Sequence, residues 1–367
     1  MPVFFVYPAS PVMTVAIDWG STSFRAFHFD NNGKLLNKYQ GEHGIKQAQG
    51  LSEQDSAAWF QNILLKTCAE WIEVDRSTSF ASKKTIANGW LSGSSERQID
   101  VVLSGMVTSR NGWVETPYIS CPLVLDDLRK HSVRYEFQDI QLAFLPGVSV
   151  TGQYPDVMRG EELQLIGVEL DSVGGGSGVK DTAESQQDQA IFVLPGTHSK
   201  WVNCRCDRRD TKLAIESFHT CPSGELYDTL LKFTLIGGLA QRDNWDEAVF
   251  VSSVRTGFTS QRFLSSLFAA RSGVLLESLD ESAVPAYLSG LLIGREIREG
   301  IDELAVNDQL TSTPGNSDVS ALGPGIVLVG EPQLCGLYLR ALKHLNISAR
   351  VAGEDMSETG FKKLLGY

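Results

Sequence analysis

The sequence has few cysteines and arranges none of them in a recognisable pattern. Its six cysteines among 367 residues form no Cys-x-x-Cys pair, and no run of Cys and His has the spacing of zinc ligands. Scattered thiols are typical of proteins in a reducing compartment. The sequence therefore predicts neither a disulfide framework nor a structural zinc site.

Long apolar runs and positive charge are also scarce. No stretch approaches the roughly 20 apolar residues that a helix needs to span a bilayer. The chain carries 32 Lys and Arg against 44 Asp and Glu, and its net charge of -12 argues against a general nucleic-acid or anionic-membrane binder. An anionic substrate would therefore need a local positive pocket.

The first residues and the composition favour a cytoplasmic globular protein. Residues 1–12 are apolar, contain no Lys or Arg and are interrupted by prolines, so we expect a loose extension or a wrongly assigned start and not a signal peptide. Hydrophobic residues make up 42% and charged residues 21% of the chain, which is typical of a globular protein. The length favours two domains.

What the chain does have is a strand–turn–strand unit near its start, in residues 14–25 (TVAIDWGSTSFR). An apolar strand ends in Asp18, and a polar turn of Gly20, Ser21 and Thr22 follows. Small turn residues leave backbone N–H groups accessible to phosphate oxygens. A neighbouring carboxylate suits a Mg²⁺ ion that keeps most of its waters and binds nucleotide phosphates. An ordinary hairpin with an acid in its turn is the alternative interpretation.

The same plan occurs a second time in residues 191–203 (IFVLPGTHSKWVN). Pro195 replaces the acid, and Gly196 and Thr197 form the turn. Two such units predict a duplicated α/β domain in which each copy holds one end of a triphosphate.

Composition shifts divide the chain into two predicted domains. We expect an N-terminal domain over 13–171, a C-terminal domain over 190–367, and a flexible linker over 172–189, which is rich in Gly and Ser. Two further segments, 76–98 and 306–324, are predicted loops.

Other ligand-binding positions are predicted at the ends of strands. A buried strand at 99–105 leads into the polar, irregular segment 106–118, and open α/β sheets bind ligands beyond the carboxyl ends of their strands. A helix is predicted within 155–170. The strand–glycine–helix pattern at 326–340 predicts a nucleotide-binding corner, because helix N-termini attract anions.

Taken together, these segments resemble the 2-dehydro-3-deoxygalactonokinase family. Six motifs occur in order and cover most of the chain: AIDWGSTSFRA, LSGMVTSRNGW, DVMRGEELQLIG, LPGTHSKWV, SGELYDTLL and LSGLLIGREI. The resemblance implies an α/β protein with the duplicated ribonuclease-H-like fold of actin and hexokinase, in which two lobes surround a nucleotide cleft. It also implies transfer of the γ-phosphate of MgATP to the 6-hydroxyl of 2-dehydro-3-deoxy-D-galactonate, in D-galactonate catabolism.

The resemblance assigns the nucleotide site residue by residue. Asp18 is implied as the catalytic acid linked to Mg²⁺. The phosphates are expected at the two turns and at Lys200, although a solvated strand lysine is an equal alternative. Gly330 and Glu331 are expected at the adenine.

A catalytic base is implied at Glu161. Related carbohydrate kinases place a carboxylate after a glycine in a Gly-Asp-Gln run, and Gly160-Glu161-Glu162 stands in that place here. A base must come within hydrogen-bond distance of the hydroxyl, and Glu is one methylene longer than Asp. Glu162 and Asp156 are the other candidates, and both glutamates could instead complement the helix dipole.

The sugar acid needs a partner for its carboxylate and contacts for its carbon chain. An arginine can bind a carboxylate through two parallel hydrogen bonds, and the candidates are Arg25, Arg110 and Arg159. The candidates for the carbon chain are Ser109, Asn111 and Trp113. Surface ion pairs for the arginines and a core position for Trp113 stay open as alternatives.

Two other functions stay open as well. The chain could be a kinase for another sugar acid or ketose, because a fold does not determine its substrate. It could also be an actin-like or chaperone-like nucleotide switch without a small-molecule acceptor. We expect no nucleic-acid or membrane partner, and a homodimer is one arrangement that the sequence allows.

Overall fold

The computed structural model describes eight segments of the chain: 14–78, 100–138, 140–169, 187–207, 212–241, 244–307, 325–353 and 355–367. The predicted extension at 1–12 lies outside the described residues, as do most of the segments 76–98, 172–189 and 306–324. At the edges of these segments the structure is more regular than predicted. A helix continues to Thr78, a strand already begins at Gln187, and another helix runs on to Asn307.

The described residues form two compact units. The first contains residues up to Gly167 together with Asp355–Tyr367, and the second lies between them. The strands of the first unit are β1 (Thr14–Trp19), β2 (Phe24–Phe29), β3 (Leu35–Gly41), β4 (Val101–Ser104), β5 (Tyr118–Ser120), β6 (Leu123–Val124), β7 (Val133–Phe137), β8 (Ile140–Phe144), β9 (Gly147–Val150) and β10 (Asp156–Met158). Its helices are α1 (Glu53–Thr78), α2 (Leu125–Lys130), α3 (Glu161–Gly167) and α9 (Met356–Leu365).

The strands of the second unit are β11 (Gln187–Leu194), β12 (Ser199–Asp207), β13 (Lys212–Cys221), β14 (Ile326–Leu328) and β15 (Ala349–Val351). Its helices are α4 (Ser223–Phe233), α5 (Glu247–Thr259), α6 (Phe263–Leu275), α7 (Val284–Asn307) and α8 (Pro332–His344). Among the described helices of both units, none combines the length and apolar character needed to cross a membrane.

The two units share one sheet topology. The first unit has the strand order β3-β2-β1-β4-β8-β7, and the second contains β15-β14-β11-β12-β13. In each unit the first strand pairs antiparallel with the second and parallel with the fourth. This mixed order is that of the ribonuclease-H-like fold, so the predicted duplication of an α/β domain is confirmed.

In the first unit, the core lies between the central strands and α1. All six residues of β1 are buried, as expected for a strand with neighbours on both sides and a helix over one face. Helix α1 starts after Ser52, whose hydroxyl accepts the amide N–H of Asp55 at 3.2 Å. Its residues Phe60, Leu64 and Cys68 recur at a spacing of one turn and are fully buried.

The last helix belongs to the first unit, which corrects the predicted boundary of the second domain at 367. Helix α9 packs against α3, where Lys363 donates to the carbonyl of Ile166 at 2.9 Å. Phe361 is buried beside Phe27 of β2. The pattern of an amphipathic helix shows which face is buried but not which sheet it covers, so the sequence could not place it.

Candidate active site

Asp18 lies near the end of β1 and is held from one side. It is 8% exposed, and its Oδ2 accepts hydrogen bonds from Arg25 and from the Ser357 hydroxyl, the latter at 2.8 Å. Arg25 stands opposite Asp18 in the antiparallel pairing with β2, and Ser357 lies in the first turn of α9. Two donors therefore fix the orientation of the carboxylate.

The second carboxylate oxygen points to a corner made of backbone. A Cβ on Gly105 would lie 3.2 Å from Asp18 Oδ1 and 2.8 Å from the Trp19 carbonyl, and Gly105 has a φ of +91°. A Cβ on Gly160 would lie 3.1 Å from the Cα of Gly105. Across the described residues, Oδ1 makes no hydrogen bond. The residue after β4 thus lies against this oxygen at the end of β1, and the residue before α3 lies against Gly105.

The turn after Asp18 is anchored by its carbonyl groups. The carbonyls of Gly20 and Ser21 accept the amides of Ile45 and Lys46, each at 3.1 Å. The N–H groups of Ser21 and Thr22 donate to no other described residue. Within the described part of the chain, the predicted phosphate-binding turn therefore has two N–H donors available, while the carbonyls of Gly20 and Ser21 are paired.

The two glutamates at the start of α3 differ in environment. Glu161 is half-buried and accepts the amide of Arg159 at 2.9 Å, whereas Glu162 is fully buried and accepts the amide of Gly160 at 2.7 Å. Burial, together with the charge of Glu161, raises the pKa of Glu162 to about 8. Within the described part of the chain, Glu162 Oε1 has no hydrogen-bond partner.

The third candidate base lies elsewhere in the unit. Asp156 is the first residue of β10, on the three-stranded sheet β10-β9-β5. One of its carboxylate oxygens accepts the amide of Val157 at 2.7 Å.

The three candidate arginines have different roles. Arg159 is buried, donates to the carbonyl and hydroxyl of Thr108 at 2.6 Å and stacks on the Tyr118 ring at 4.4 Å. Its guanidinium thus holds the 106–118 loop in place, and its role as a carboxylate partner stays a prediction. Arg25 is paired with Asp18. Arg110 is exposed, and its side chain makes no ion pair or hydrogen bond to the described residues.

The loop after β4 has one face in the core and one in solvent. Trp113 stacks on Phe60 with ring centroids 6.1 Å apart and contacts Phe144 edge-on, so it is partly buried against the core, and its contact with the substrate stays a prediction. The Ser109 hydroxyl donates to the Met106 carbonyl at 2.7 Å, which makes it a loop brace. Asn111, like Arg110, is exposed.

In the second unit, Gly196 and Thr197 form the turn between β11 and β12. The amide of Gly196 donates to Ser199 Oγ at 3.3 Å, and the carbonyl of Thr197 accepts the amide of Glu225 at 3.0 Å. A Cβ on Gly224 would lie 2.8 Å from the Thr197 Cα, so only glycine permits this close approach of α4. Thr197 is exposed.

A cavity of about 310 Å³ opens beside this turn. Its walls are mostly apolar side chains of α4, α7 and α8, together with Trp245, and the turn and the start of α4 supply polar groups. The lining residues are Gly196, Thr197, Ser223, Gly224, Tyr227, Asp228, Trp245, Ser289, Leu292, Ile293, Leu334, Leu337 and Tyr338.

Two residues predicted for the nucleotide site, Lys200 and Glu331, have other contacts. Lys200 is buried and donates to the hydroxyl of Thr220 at 2.6 Å, so its positive charge is not presented at the turn. Glu331 caps α8 by accepting the amides of Gln333 and Leu334. Neither Glu331 nor Gly330 lines the cavity, which instead uses residues further along α8.

Sequence reasoning missed most of the cavity wall. The Ser223-Gly224 pair after β13 was the available signal, because small residues at a helix start admit a ligand. Tyr227, Trp245 and Leu292 carry no comparable signal, since apolar residues at helical spacing indicate only a buried face.

The side chains around Asp18 determine which kind of metal ion could bind there. The described residues contain no group of three or more His, Cys, Asp or Glu side chains that could hold an ion. A single available carboxylate oxygen suits a Mg²⁺ that is held mainly by waters and substrate phosphates.

Two ribonuclease-H-like units, each with a polar turn after its first strand, and an acid at the end of β1 are the features expected of a carbohydrate kinase. The family model for 2-keto-3-deoxy-galactonokinase matches residues 18–364, and the chain belongs to this family. The family, the fold class and the kinase activity predicted from the sequence are thereby confirmed.

Individual relatives agree with this family. The chain is 30% identical over 305 residues to the 2-dehydro-3-deoxygalactonokinase of Escherichia coli (strain K12), covering 83% of this chain and 85% of that protein. It is 29% identical over 346 residues to a protein of Rhizobium meliloti (strain 1021) named a probable 2-dehydro-3-deoxygalactonokinase, covering 93% and 92%. A crystal structure of a candidate 2-dehydro-3-deoxygalactonokinase from Sinorhizobium meliloti superposes with a TM-score of 0.70 and 27% identity, covering 96% of each chain.

Proposed function

We propose that this kinase transfers the γ-phosphoryl group of ATP to the 6-hydroxyl of 2-dehydro-3-deoxy-D-galactonate. The observation that carries the proposal is the state of Asp18, with one oxygen fixed by Arg25 and Ser357 and the other open beside Gly105. Phosphoryl transfer depends chiefly on positioning and on neutralising phosphate charge, and a pre-oriented carboxylate serves both.

Asp18 would hold a hydrated Mg²⁺ through its open oxygen. When bound, the ion neutralises charge on the phosphates. The N–H groups of Ser21 and Thr22, which donate to no other described residue, supply further hydrogen bonds to phosphate oxygens.

Glu161 is the proposed general base. It accepts the proton of the 6-hydroxyl, whose oxygen bonds to the γ-phosphorus while the bond to the bridging oxygen of ADP breaks. Glu162 is less suited, because it is fully buried and its pKa of about 8 leaves it mostly protonated at neutral pH.

Arg110 is the proposed partner of the substrate carboxylate. Of the three candidate arginines, it alone combines exposure with a guanidinium that is not engaged by described residues. A bidentate contact with an arginine would also orient the carbon chain.

The cavity of the second unit is the proposed site of the nucleotide. Its apolar walls suit a flat base, and Thr197 at its edge offers an amide and a hydroxyl to phosphate. Its lining residues, and not Gly330 and Glu331, are the proposed adenine contacts.

The direct test measures ADP release with and without 2-dehydro-3-deoxy-D-galactonate and locates the phosphate by NMR. We expect acceptor-dependent release and phosphate on oxygen 6. A preference for the C4 epimer, or for a ketose, would assign the enzyme to another substrate. Turnover that does not depend on any acceptor would support a nucleotide switch. The cytoplasmic location, the oligomeric state and the absence of nucleic-acid and membrane partners stay predictions.

A further inference from the structure

A buried polar chain runs from helix α7 to the turn of the second unit. Glu296 of α7 is 2% exposed and accepts hydrogen bonds from the Trp201 indole at 2.9 Å and the Tyr338 hydroxyl at 2.6 Å. The Tyr338 oxygen lies 3.1 Å from Ser199 Oγ, and Ser199 Oγ lies 3.3 Å from the Gly196 amide. Three hydrogen bonds therefore join Glu296 to the turn.

The hydroxyl protons of this hydrogen-bonded network can be assigned starting from its acceptor, Glu296. Tyr338 donates its single hydroxyl proton to Glu296, so its oxygen is left as an acceptor for the proton of Ser199. The Gly196 carbonyl, 3.4 Å from Ser199 Oγ, is the other acceptor within reach of that proton. Ser199 Oγ then has a lone pair for the Gly196 amide. Ser199 Oγ therefore connects Tyr338, and through it Glu296, to the backbone of Gly196 in the turn.

The location of a carboxylate here calls for an explanation. Burial raises the pKa of Glu296, and its hydrogen bonds, those from Tyr338 and Trp201 among them, oppose that shift. Replacing buried charge with well-packed apolar groups is often neutral or stabilising, so overall stability does not account for Glu296. A fully hydrogen-bonded buried network does specify one geometry.

The hydrogen-bonded network of Glu296, Tyr338 and Ser199 lies beside the cavity of the second unit. Tyr338 and Gly196, two members of the hydrogen-bonded network, line the cavity together with Ser223 and Thr197. The network therefore forms part of the cavity wall. We propose that Glu296 is a positioning residue that, through Tyr338 and Ser199, fixes the Gly196–Thr197 turn in the geometry that binds nucleotide phosphates. This inference rests on the proposed function, which places ATP in this cavity.

The test compares two tyrosine-to-phenylalanine variants of the second unit. Tyr338→Phe removes the hydroxyl that links Glu296 to Ser199. Tyr287→Phe is the matched control, because Tyr287 lies on α7 and donates to the Ser266 carbonyl at 2.9 Å without contact to the turn. Calorimetry gives the Kd for ATP, steady-state kinetics give KM and kcat, and thermal unfolding gives Tm.

For Tyr338→Phe we expect the Kd and KM for ATP to rise about 3- to 10-fold, the scale of one lost hydrogen bond. The KM for the sugar acid at saturating ATP should not change. Glu296→Gln should also raise the Kd and KM for ATP. Both carboxylate oxygens of Glu296 accept a hydrogen bond, and the Gln amide replaces one of these acceptors with an NH₂ donor. Tyr287→Phe should lower Tm while leaving the Kd for ATP as in the wild type.

Two results would overturn the inference alone. One is a folded Tyr338→Phe variant that binds ATP as the wild type does, and the other is a Tyr287→Phe variant that weakens ATP binding equally. Wild-type protein that binds no ATP would instead overturn the proposed function, and the inference with it. Should Glu296→Gln fail to fold, the Tyr338→Phe comparison still decides.

Discussion

Ser357 donates to Asp18 across 339 positions of the chain, at 2.8 Å. The same Asp18 oxygen accepts a hydrogen bond from Arg25, and Arg25 also donates to the Ser357 hydroxyl at 3.0 Å. The three side chains form a closed set in which the last helix of the chain orients the acid at the end of its first strand.

This relationship predicts a moderate effect for Ser357→Ala. Removing the hydroxyl leaves Asp18 with Arg25 as its remaining partner, so the carboxylate is oriented less firmly. We expect kcat to fall about 3- to 10-fold, the effect of one hydrogen bond. Thr359→Ala is the control, since Thr359 lies on the same helix and its hydroxyl bonds to no described residue. Equal kinetics for both variants would remove Ser357 from the account.

The two glutamates of α3 predict different kinetics. Glu161→Gln should lower kcat by about 10²- to 10⁴-fold with little change in the KM for ATP, as expected for loss of a general base. Glu162→Gln should retain most of kcat, because Glu162 is buried and bonds to the Gly160 amide. The reverse pattern in steady-state assays would move the base to Glu162.

Glu162 also predicts a pH-dependent stability. Its pKa in the folded protein, about 8, lies above its usual 4.5, so between these values the folded state binds more protons than the unfolded state. The contribution of Glu162 to the free energy of unfolding should therefore decline as pH rises from about 5 to about 8. Denaturant titrations at several pH values should show this decline in the wild type and a smaller one in Glu162→Gln. Identical pH profiles would contradict the buried environment of this carboxyl.

Substitutions of Arg110 and Arg159 should affect different properties, substrate binding for Arg110 and stability for Arg159. Arg110→Ala should raise the KM for the sugar acid about 10- to 100-fold, the scale of a charge-assisted contact, and leave Tm unchanged. Arg159→Ala should lower Tm, because its guanidinium holds Thr108 and Thr116 in the buried part of the loop. An Arg110→Ala variant with an ordinary KM would exclude Arg110 as the carboxylate partner.

Local patterns could predict the parts of the site that are local. Asp18 and the Gly20–Thr22 turn could be located from one short stretch, because an apolar run followed by an acid and small residues predicts a strand that ends in a turn. The second turn at Gly196 could be found by the same pattern. The duplication followed from recognising both copies.

Residues whose roles depend on distant partners could not be predicted. Arg159 and Trp113 have ordinary surface and core alternatives, and only contact with Thr108 and with Phe60 decides between them. Ser357 and Glu296 carry no signal in the sequence, since a serine in a helix and a glutamate in an amphipathic pattern are both usually exposed. Their partners lie far away in the chain, on β1 and β2 for Ser357 and on β12 and α8 for Glu296.

The most direct test of the account measures acceptor-dependent ADP release in the wild type and in Asp18→Asn. Asn has nearly the same shape as Asp but carries no charge, so the variant should keep the wild-type Tm within a few degrees. We predict that 2-dehydro-3-deoxy-D-galactonate stimulates release in the wild type and that Asp18→Asn reduces kcat at least ~100-fold, the scale of losing one pre-oriented electrostatic contact. A folded Asp18→Asn variant with near-normal kcat would contradict the central role of Asp18.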